Sequence, residues 1–311
     1  MITPLIAAFE EANLTLLERG WLSSNNILFG VGTQTECVLV DSGYSSHSEQ
    51  TVQLVRFWLT DRRLDRVINT HLHSDHCGGN HALQSAYGCA IDVPAASAAR
   101  VDDWDAAALH FEYLGQCCER FERDRLIEAG QVLVLGNRSW EVVATPGHDP
   151  DSVALYQREL GLLISADALW EDGFGVVFPE LEGQSGFADV RKTLDALSAL
   201  DVRVTIPGHG AAFTDFEAAL DRAYRRLDKL ESDPRRHGRH AAKVLIKFHL
   251  LEVRAMSLSA LWAWCEATPI MGELHRRYFS RMPFGQWLRS LVEDLERSGA
   301  VRSSDGVVAD A

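Results

Sequence analysis

The chain has 311 residues, 46% of them hydrophobic and 24% charged, which is enough apolar material for one large core with a smaller appendage and excludes a chain dominated by disorder. Its formal charge of −14 is uneven: residues 1–218 carry −18, residues 219–256 carry +5 and residues 257–311 carry −1. An acidic body repels a polyanion, so nucleic acid is not the expected partner, although the basic stretch could hold an anion locally.

The opening Met1-Ile2-Thr3-Pro4-Leu5-Ile6 has no basic segment ahead of an apolar one, and no apolar run nears the ~18 residues of a membrane span. The expectation is a soluble, cytoplasmic protein with no membrane partner. The six cysteines include no Cys-x-x-Cys pair and read as reduced thiols.

In chain order, Trp21 to Phe29 and Glu36 to Val40 carry apolar and β-branched residues broken by Gly30, Gly32 and Asp41-Ser42-Gly43, which predicts two strands. Ser48 to Thr60 places Val52, Val55 and Leu59 at helical spacing. Val67-Ile68-Asn69-Thr70 is a short β-type run leading into His71-Leu72-His73-Ser74-Asp75-His76, and Gly78-Gly79-Asn80 turns into a helix over Ala82 to Tyr87.

Cys89 to Val93 predicts a strand. Ala95 to Arg125, Ala-rich with glycine only at Gly115, predicts one or two helices that could form a lid. Val132 to Leu135 and Trp140 to Ala144 read as strands, and Val153 to Tyr156 with Leu162 to Ser165 as a hairpin. A helix over Val190 to Leu200 and a strand over Val202 to Ile206 follow. Phe216 to Leu230 is an amphipathic helix, and the polar stretch Glu231 to His240, with Pro234 and Gly238, breaks the pattern. The rest is helical to about Arg297 and ends in a hairpin over Ser298 to Val308. This divides the chain into a catalytic domain over residues 1–215 and a helical domain over residues 216–311.

Imidazole and carboxylate are the donors that zinc and similar divalent ions take, and His71, His73, Asp75 and His76 lie within six residues. If the segment is extended, His71 and His73 face one way, while a turn after Ser74 aims Asp75 and His76 at a second ion. His148, Asp167 and His209 each stand at the end of a predicted strand, where side chains from several strands converge at one edge.

His-x-His-x-Asp-His-x-Gly-Gly, Thr145-Pro146-Gly147-His148, Ala166-Asp167 and Pro207-Gly208-His209-Gly210, in this order over residues 20–212, resemble the metallo-β-lactamase superfamily. The resemblance implies an α/β (α+β) fold, a four-layer αββα sandwich with the metals at the sheet edge. It implies two divalent ions, zinc first, with iron or manganese as alternatives. His71, His73 and His148 would take one ion, Asp75, His76 and His209 the other, and Asp167 would bridge them. Asp41 matches a family aspartate near the site, with a simple turn-forming role as the alternative.

On that reading the nucleophile is hydroxide from a water acidified between the ions, Asp75 handles a proton, and Cys77 is a packing residue. The branch containing hydroxyacylglutathione hydrolases shares all seven donors, as does an endoribonuclease branch with a small winged-helix-like C-terminal domain, which residues 216–311 resemble. Such a module can serve as a wall of a cleft or as a dimer surface, so a homodimer is one expectation. Asp149 and Ser152 stand where relatives commonly carry Ser or Thr and His. The expected activity is hydrolysis of a small thioester, ester or lactone. The alternatives are a phosphodiesterase or endoribonuclease using the same ions, and a binding or regulatory protein on the same fold. Trp170, Phe174 and Phe178, with His110 and Tyr113 of the lid stretch, are candidates to line the substrate pocket, with ordinary packing as the alternative.

Overall fold

The first sheet has six short strands, hydrogen-bonded to one another in their chain order. The structure, a computed structural model, describes residues 4–105 and 107–311. The chain forms two units, one from Met1–Leu109 with Cys118–Asp228, the other from His110–Cys117 with Lys229–Ala311.

The first unit begins with α1 (Pro4–Glu11), β1 (Leu14–Leu17), β2 (Asn26–Phe29), β3 (Val38–Val40), α2 (Ser48–Leu59) and β4 (Arg66–Ile68). It continues with α3 (Ser74–Cys77), α4 (Asn80–Tyr87), β5 (Ala90–Pro94), α5 (Ala98–Asp102) and β6 (Arg125–Ile127). A second sheet, in the order β11-β10-β9-β8-β7, takes β7 (Val132–Leu135), β8 (Arg138–Ala144), β9 (Val153–Gln157), β10 (Leu162–Ala166) and, after α6 (Phe178–Leu181) and α7 (Gly186–Ser198), β11 (Val204–Pro207). The helix α8 (Phe216–Ser232) carries the chain from this unit into the next.

The two sheets pack face to face. Ile27, Phe29, Val38, Val40 and Ile68 from the first share one core with Trp140, Val142, Leu155, Ile164 and Ile206 from the second. Leu39 and Val67, the alternate positions of β3 and β4, are also fully buried, so these parallel strands are covered on both faces. That is why they read as unbroken apolar runs. Helix α2 buries Val52, Val55 and Leu59 along one stripe, and α7 buries Phe187, Val190, Leu194 and Leu197. The outcome is the αββα layering.

Within residues 1–228, two predicted elements differ. Trp21 to Asn25 is turn and loop, not strand, because the Asn25 side chain leaves the ladder to donate to Pro207 O at 2.9 Å and Gly210 O at 2.7 Å. Within residues 95–125 only Ala98–Asp102 is α-helical, after a 3-10 turn at Ala95–Ser97, and Ala106 lies outside the described residues. Trp104 and His110 take positive φ of 48° and 61°, which a helix cannot contain, so a run of good helix formers becomes turns.

In the second unit, α9 (Pro234–Val253) leads to β12 (Ala255–Ser257), α10 (Leu258–Ala267), α11 (Pro269–Leu274), a π-helical turn at His275–Phe279, α12 (Phe284–Arg297), β13 (Val301–Ser304) and β14 (Val307–Asp310). The expected break over 231–240 is only the joint before Pro234. Proline there sits in the first turn, where its missing N–H costs nothing, and the helix runs on through Gly238. The strands form an antiparallel sheet in the order β12-β14-β13. The β13–β14 turn at Asp305-Gly306 takes positive φ of 52° and 76°, as a two-residue hairpin requires. Helix α12 buries Trp287, Leu288, Leu291, Val292 and Leu295 on a single face.

Candidate metal centre

The polar residues singled out in the sequence follow the C-terminal ends of strands in the two sheets. Asp41 follows β3, His71 and His73 follow β4, His148 follows β8, Asp167 follows β10 and His209 follows β11. The turn expected after Ser74 is α3, which begins at Ser74 itself and carries Asp75 and His76. One donor atom each from His71, His73 and His148 lie within 4.8 Å of one another, and the same holds for Asp75, His76, Asp167 and His209.

In the first group, His73 Nδ1 lies 2.7 Å from His148 Nε2. In the second, His209 Nε2 lies 3.0 Å from Asp75 Oδ2, and His76 Nε2 lies 3.4 Å from Asp167 Oδ1. Asp167 faces both groups, since its Oδ2 is 3.4 Å from His148 Nε2. Ala166, just before it, holds φ at 46°, and the β10–β11 register shifts between Ile164 and Ala166. That irregularity turns Asp167 out of the strand. Gly208 is required beside it, because a Cβ there would overlap Asp167 Oδ1.

Hydrogen-bond partners outside the two groups assign the imidazole tautomers. Asp41 Oδ1 accepts from Thr70 N at 2.8 Å, and its Oδ2 accepts from Thr70 Oγ1 at 2.8 Å and from His76 Nδ1 at 2.7 Å. Thr70 Oγ1, its proton given to Asp41, can accept from His71 Nδ1 at 3.2 Å. His148 Nδ1 donates to Val176 O at 2.6 Å. The three rings therefore direct their Nε2 atoms inward, those of His71 and His148 without a proton, the arrangement a metal-binding histidine needs.

Burial, reinforced by the neighbouring imidazoles His76, His73 and His148, holds His71 well below the usual histidine value. Burial and His73 push His148 down to about 4. Burial acts the same way on His76, but the combined carboxylates of Asp41, Asp167 and Asp75 outweigh it and hold this ring well above the usual value. Burial would raise Asp167, yet His76 and His209 together keep it well below the ordinary carboxylate range. A proton and a cation thus compete for His76 Nε2.

The donor set fits divalent cations. His71 Nε2 is buried and has no hydrogen-bond partner among the described residues, a cost of about 1–3 kcal/mol that a bound cation removes. Imidazole nitrogen and carboxylate oxygen without thiolate suit zinc, iron and manganese.

Of the residues expected to line a pocket, Phe178 is beside the first group, its ring centroid 5.1 Å from that of His73 and 5.7 Å from that of His148. Trp170 is beside the second, 5.6 Å from His209, and its Nε1 donates to Asp167 Oδ1 at 3.2 Å. Phe174 is instead enclosed, with the Arg226 guanidinium over its ring. His110 and Tyr113 belong to the second unit, where Tyr113 Oη donates to Glu273 Oε2 at 2.6 Å.

Sequence reasoning missed Trp21, whose ring stacks on His209 with 3° between planes and 5.5 Å between centroids. The polar run Ser23-Ser24-Asn25-Asn26 was the available signal, since it marks a loop where a strand was expected.

The model of the metallo-beta-lactamase superfamily matches residues 19–209. The hydroxyacylglutathione hydrolase of Rhodobacter capsulatus is 31% identical over 181 residues, 55% of this chain and 61% of that protein. The acyl-coenzyme A thioesterase MBLAC2 of Gallus gallus is 27% identical over 161 residues, 46% of this chain and 55% of that protein. This chain thus spans 61% and 55% of the length of these two curated relatives. The crystal structure of a beta-lactamase domain protein from Burkholderia ambifaria superposes with a TM-score of 0.57 and 21% identity, covering 96% of this chain and 91% of that one, a likeness of fold. With the family model matching the stretch that holds both donor groups, the chain belongs to the metallo-β-lactamase superfamily.

Proposed function

We propose that the protein is a dinuclear metal-dependent hydrolase acting on a small thioester, ester or lactone. The observation that carries this reading is Asp167, a single carboxylate whose Oδ1 faces His76 and His209 and whose Oδ2 faces His148. His71, His73 and His148 would hold one ion, Asp75, His76 and His209 the other, and Asp167 both. When bound, two divalent cations, zinc ahead of iron or manganese, supply a water acidified to near neutrality and a Lewis acid for the substrate's carbonyl oxygen.

The chain's own residues do the rest. Thr70, Asp41 and the Val176 carbonyl fix His71, His76 and His148 in one tautomer each. Asp75 is the most exposed of the seven donors, its side chain 15% exposed, so it can take a proton from the attacking water and pass it to the leaving group or to solvent. Phe178, Trp170 and Trp21 supply apolar surface beside the donors for an acyl chain. The names of the two curated relatives, one a thioesterase and the other a hydrolase of an acyl conjugate of the thiol glutathione, favour a thioester.

The helix–strand–helix order of α9, β12 and α10, with α12 leading into β13 and β14 and the sheet order β12-β14-β13, supports the winged-helix-like reading for residues 229–311 of the expected 216–311 domain. The test of function is turnover of a generic acyl thioester, a lactone and bis-p-nitrophenyl phosphate by zinc-loaded protein, with Asp167→Ala beside it. Thioester or lactone hydrolysis lost in D167A together with bound metal is expected. Turnover of the phosphodiester alone would overturn the substrate class, and full activity in D167A would overturn the bridging role.

A further inference from the structure

Among the described residues, the Asp167 carboxylate has one hydrogen-bond donor that belongs to neither group of candidate metal donors, the indole of Trp170. Its Nε1 donates to Oδ1 at 3.2 Å, the oxygen that also faces His76 Nε2 at 3.4 Å and His209 Nε2 at 3.9 Å. A carboxylate oxygen has two lone-pair directions, so one can accept the indole proton while the other is offered to a cation.

The indole is itself held firmly. Trp170 N donates to Gly173 O at 2.6 Å, closing a tight loop whose crest is tied down by Arg222 Nε, 2.6 Å from Glu171 O and 3.2 Å from Asp172 Oδ1. Its ring meets His209 edge-on at 5.6 Å and Trp21 edge-on at 5.5 Å.

Trp21 is the second indole against His209, its ring stacked on the imidazole. It lies in the loop between β1 and β2, which is anchored by Asn25 N to Gly208 O at 2.6 Å, by Asn25 Nδ2 to Pro207 O and Gly210 O, and by Ser24 N to Asp75 O at 2.9 Å. Every one of these bonds ends on the segments that carry His209 and Asp75. Trp21 is 56% exposed, so burial does not account for its placement, yet its ring is parallel to the His209 imidazole.

We infer that Trp170 and Trp21 are positioning residues for the second donor group. The Trp170 indole N–H keeps Asp167 Oδ1 turned towards His76 and His209, and the stacked Trp21 ring keeps the His209 imidazole from rotating away from Asp75. Partners of this kind fix first-sphere ligands, and their loss typically weakens a metal site about 10–100-fold. The inference rests on the dinuclear reading and adds an asymmetry to it. The donor is on Oδ1, so its loss acts on the ion shared by Asp75, His76 and His209, while His71, His73 and His148 keep theirs.

The experiment is a zinc titration against a competing chromophoric chelator, with metal counted by elemental analysis after dialysis. Trp170→Phe keeps an aromatic ring against His209 and Trp21 and removes the N–H. It should retain one tightly bound zinc and hold the second about 10–100-fold more weakly. Trp21→Ala, a change at an exposed side chain, should also weaken only the second zinc, and Trp21→Phe, which can still stack, should restore it. Melting temperatures of each variant separate loss of fold from loss of metal. Two zinc ions held by W170F and W21A as tightly as by the unaltered protein would overturn the inference and leave the dinuclear reading standing. Fewer than two in the unaltered protein would overturn the dinuclear reading and the inference together.

Discussion

Asp41 makes three hydrogen bonds from one carboxylate, two to Thr70 and one to His76, while its own backbone sits at φ 57°. A non-glycine residue in that region costs about 1 kcal/mol or more, and here the bonds offset it. Replacing Asp41 with Ala should weaken zinc binding about 10–100-fold without touching any donor, read by chelator competition. Unchanged affinity would reduce Asp41 to a turn former. The candidate donors were legible in the sequence because few residue types can bind a cation, and the structure gathers them into two groups, five following strand ends and two on α3. Trp21 and Trp170 were legible only in part, because an aromatic ring serves a core as well as a site. What places Trp21 at His209 is a loop held by Asn25 to a strand end 182 residues away.

Among the elements, the doubly covered strands were the most legible, since Val38-Leu39-Val40 and Val204-Thr205-Ile206 are buried on both faces and admit little else, whereas β1, β6 and β12 were not anticipated. The stretch after Ala95 was the least. Its alanines favour helix locally, by a few tenths of a kcal/mol per residue over most alternatives, and tertiary placement of Trp104 and His110 overrides that preference.

In the second unit, α9 and α12 are joined by Asp294, which accepts from Arg239 Nε at 2.8 Å and Arg297 at 2.9 Å and lies 3.7 Å from Lys243. The hydrogen bond from Arg239, helped by the nearby positive charges, lowers the Asp294 pKa. A carboxyl whose folded-state pKa is depressed stabilises the fold above its unfolded value and loses that contribution as pH falls through the folded one. Asp294→Asn should therefore cost about 1 kcal/mol at neutral pH, the scale of a partly exposed charge network, and nothing extra at the acid end. Urea unfolding of both proteins at pH 7 and near pH 3 would show it, and an equal cost at both values would assign the loss to packing.

At the scale of the whole molecule, the comparison structure from Burkholderia ambifaria covers 96% of the chain, so both units belong to the likeness of fold. The division into units was only partly legible. The change of composition near residue 219 marks where the basic stretch begins, but sequence order gives no hint that residues inside the first stretch would join the second unit. His110–Cys117 do so. Ile270 N donates to Tyr113 O at 3.3 Å, and Tyr113 Oη reaches Glu273. A fragment of residues 229–311 should therefore be less stable than the same fragment supplied with a peptide of residues 108–118. Thermal melting with and without the peptide would measure the difference, and no shift would mean that the strip is dispensable.

That borrowed strip also bears on how such a protein can be rebuilt. A unit drawn from two separate stretches cannot be exchanged by a single crossover between genes, because the transplanted tail arrives without the eight residues that belong to the same unit. A chimaera that swaps the C-terminal region must carry a matching change near residue 113, so inheritance of the two stretches is coupled by geometry although the reading frame keeps them far apart.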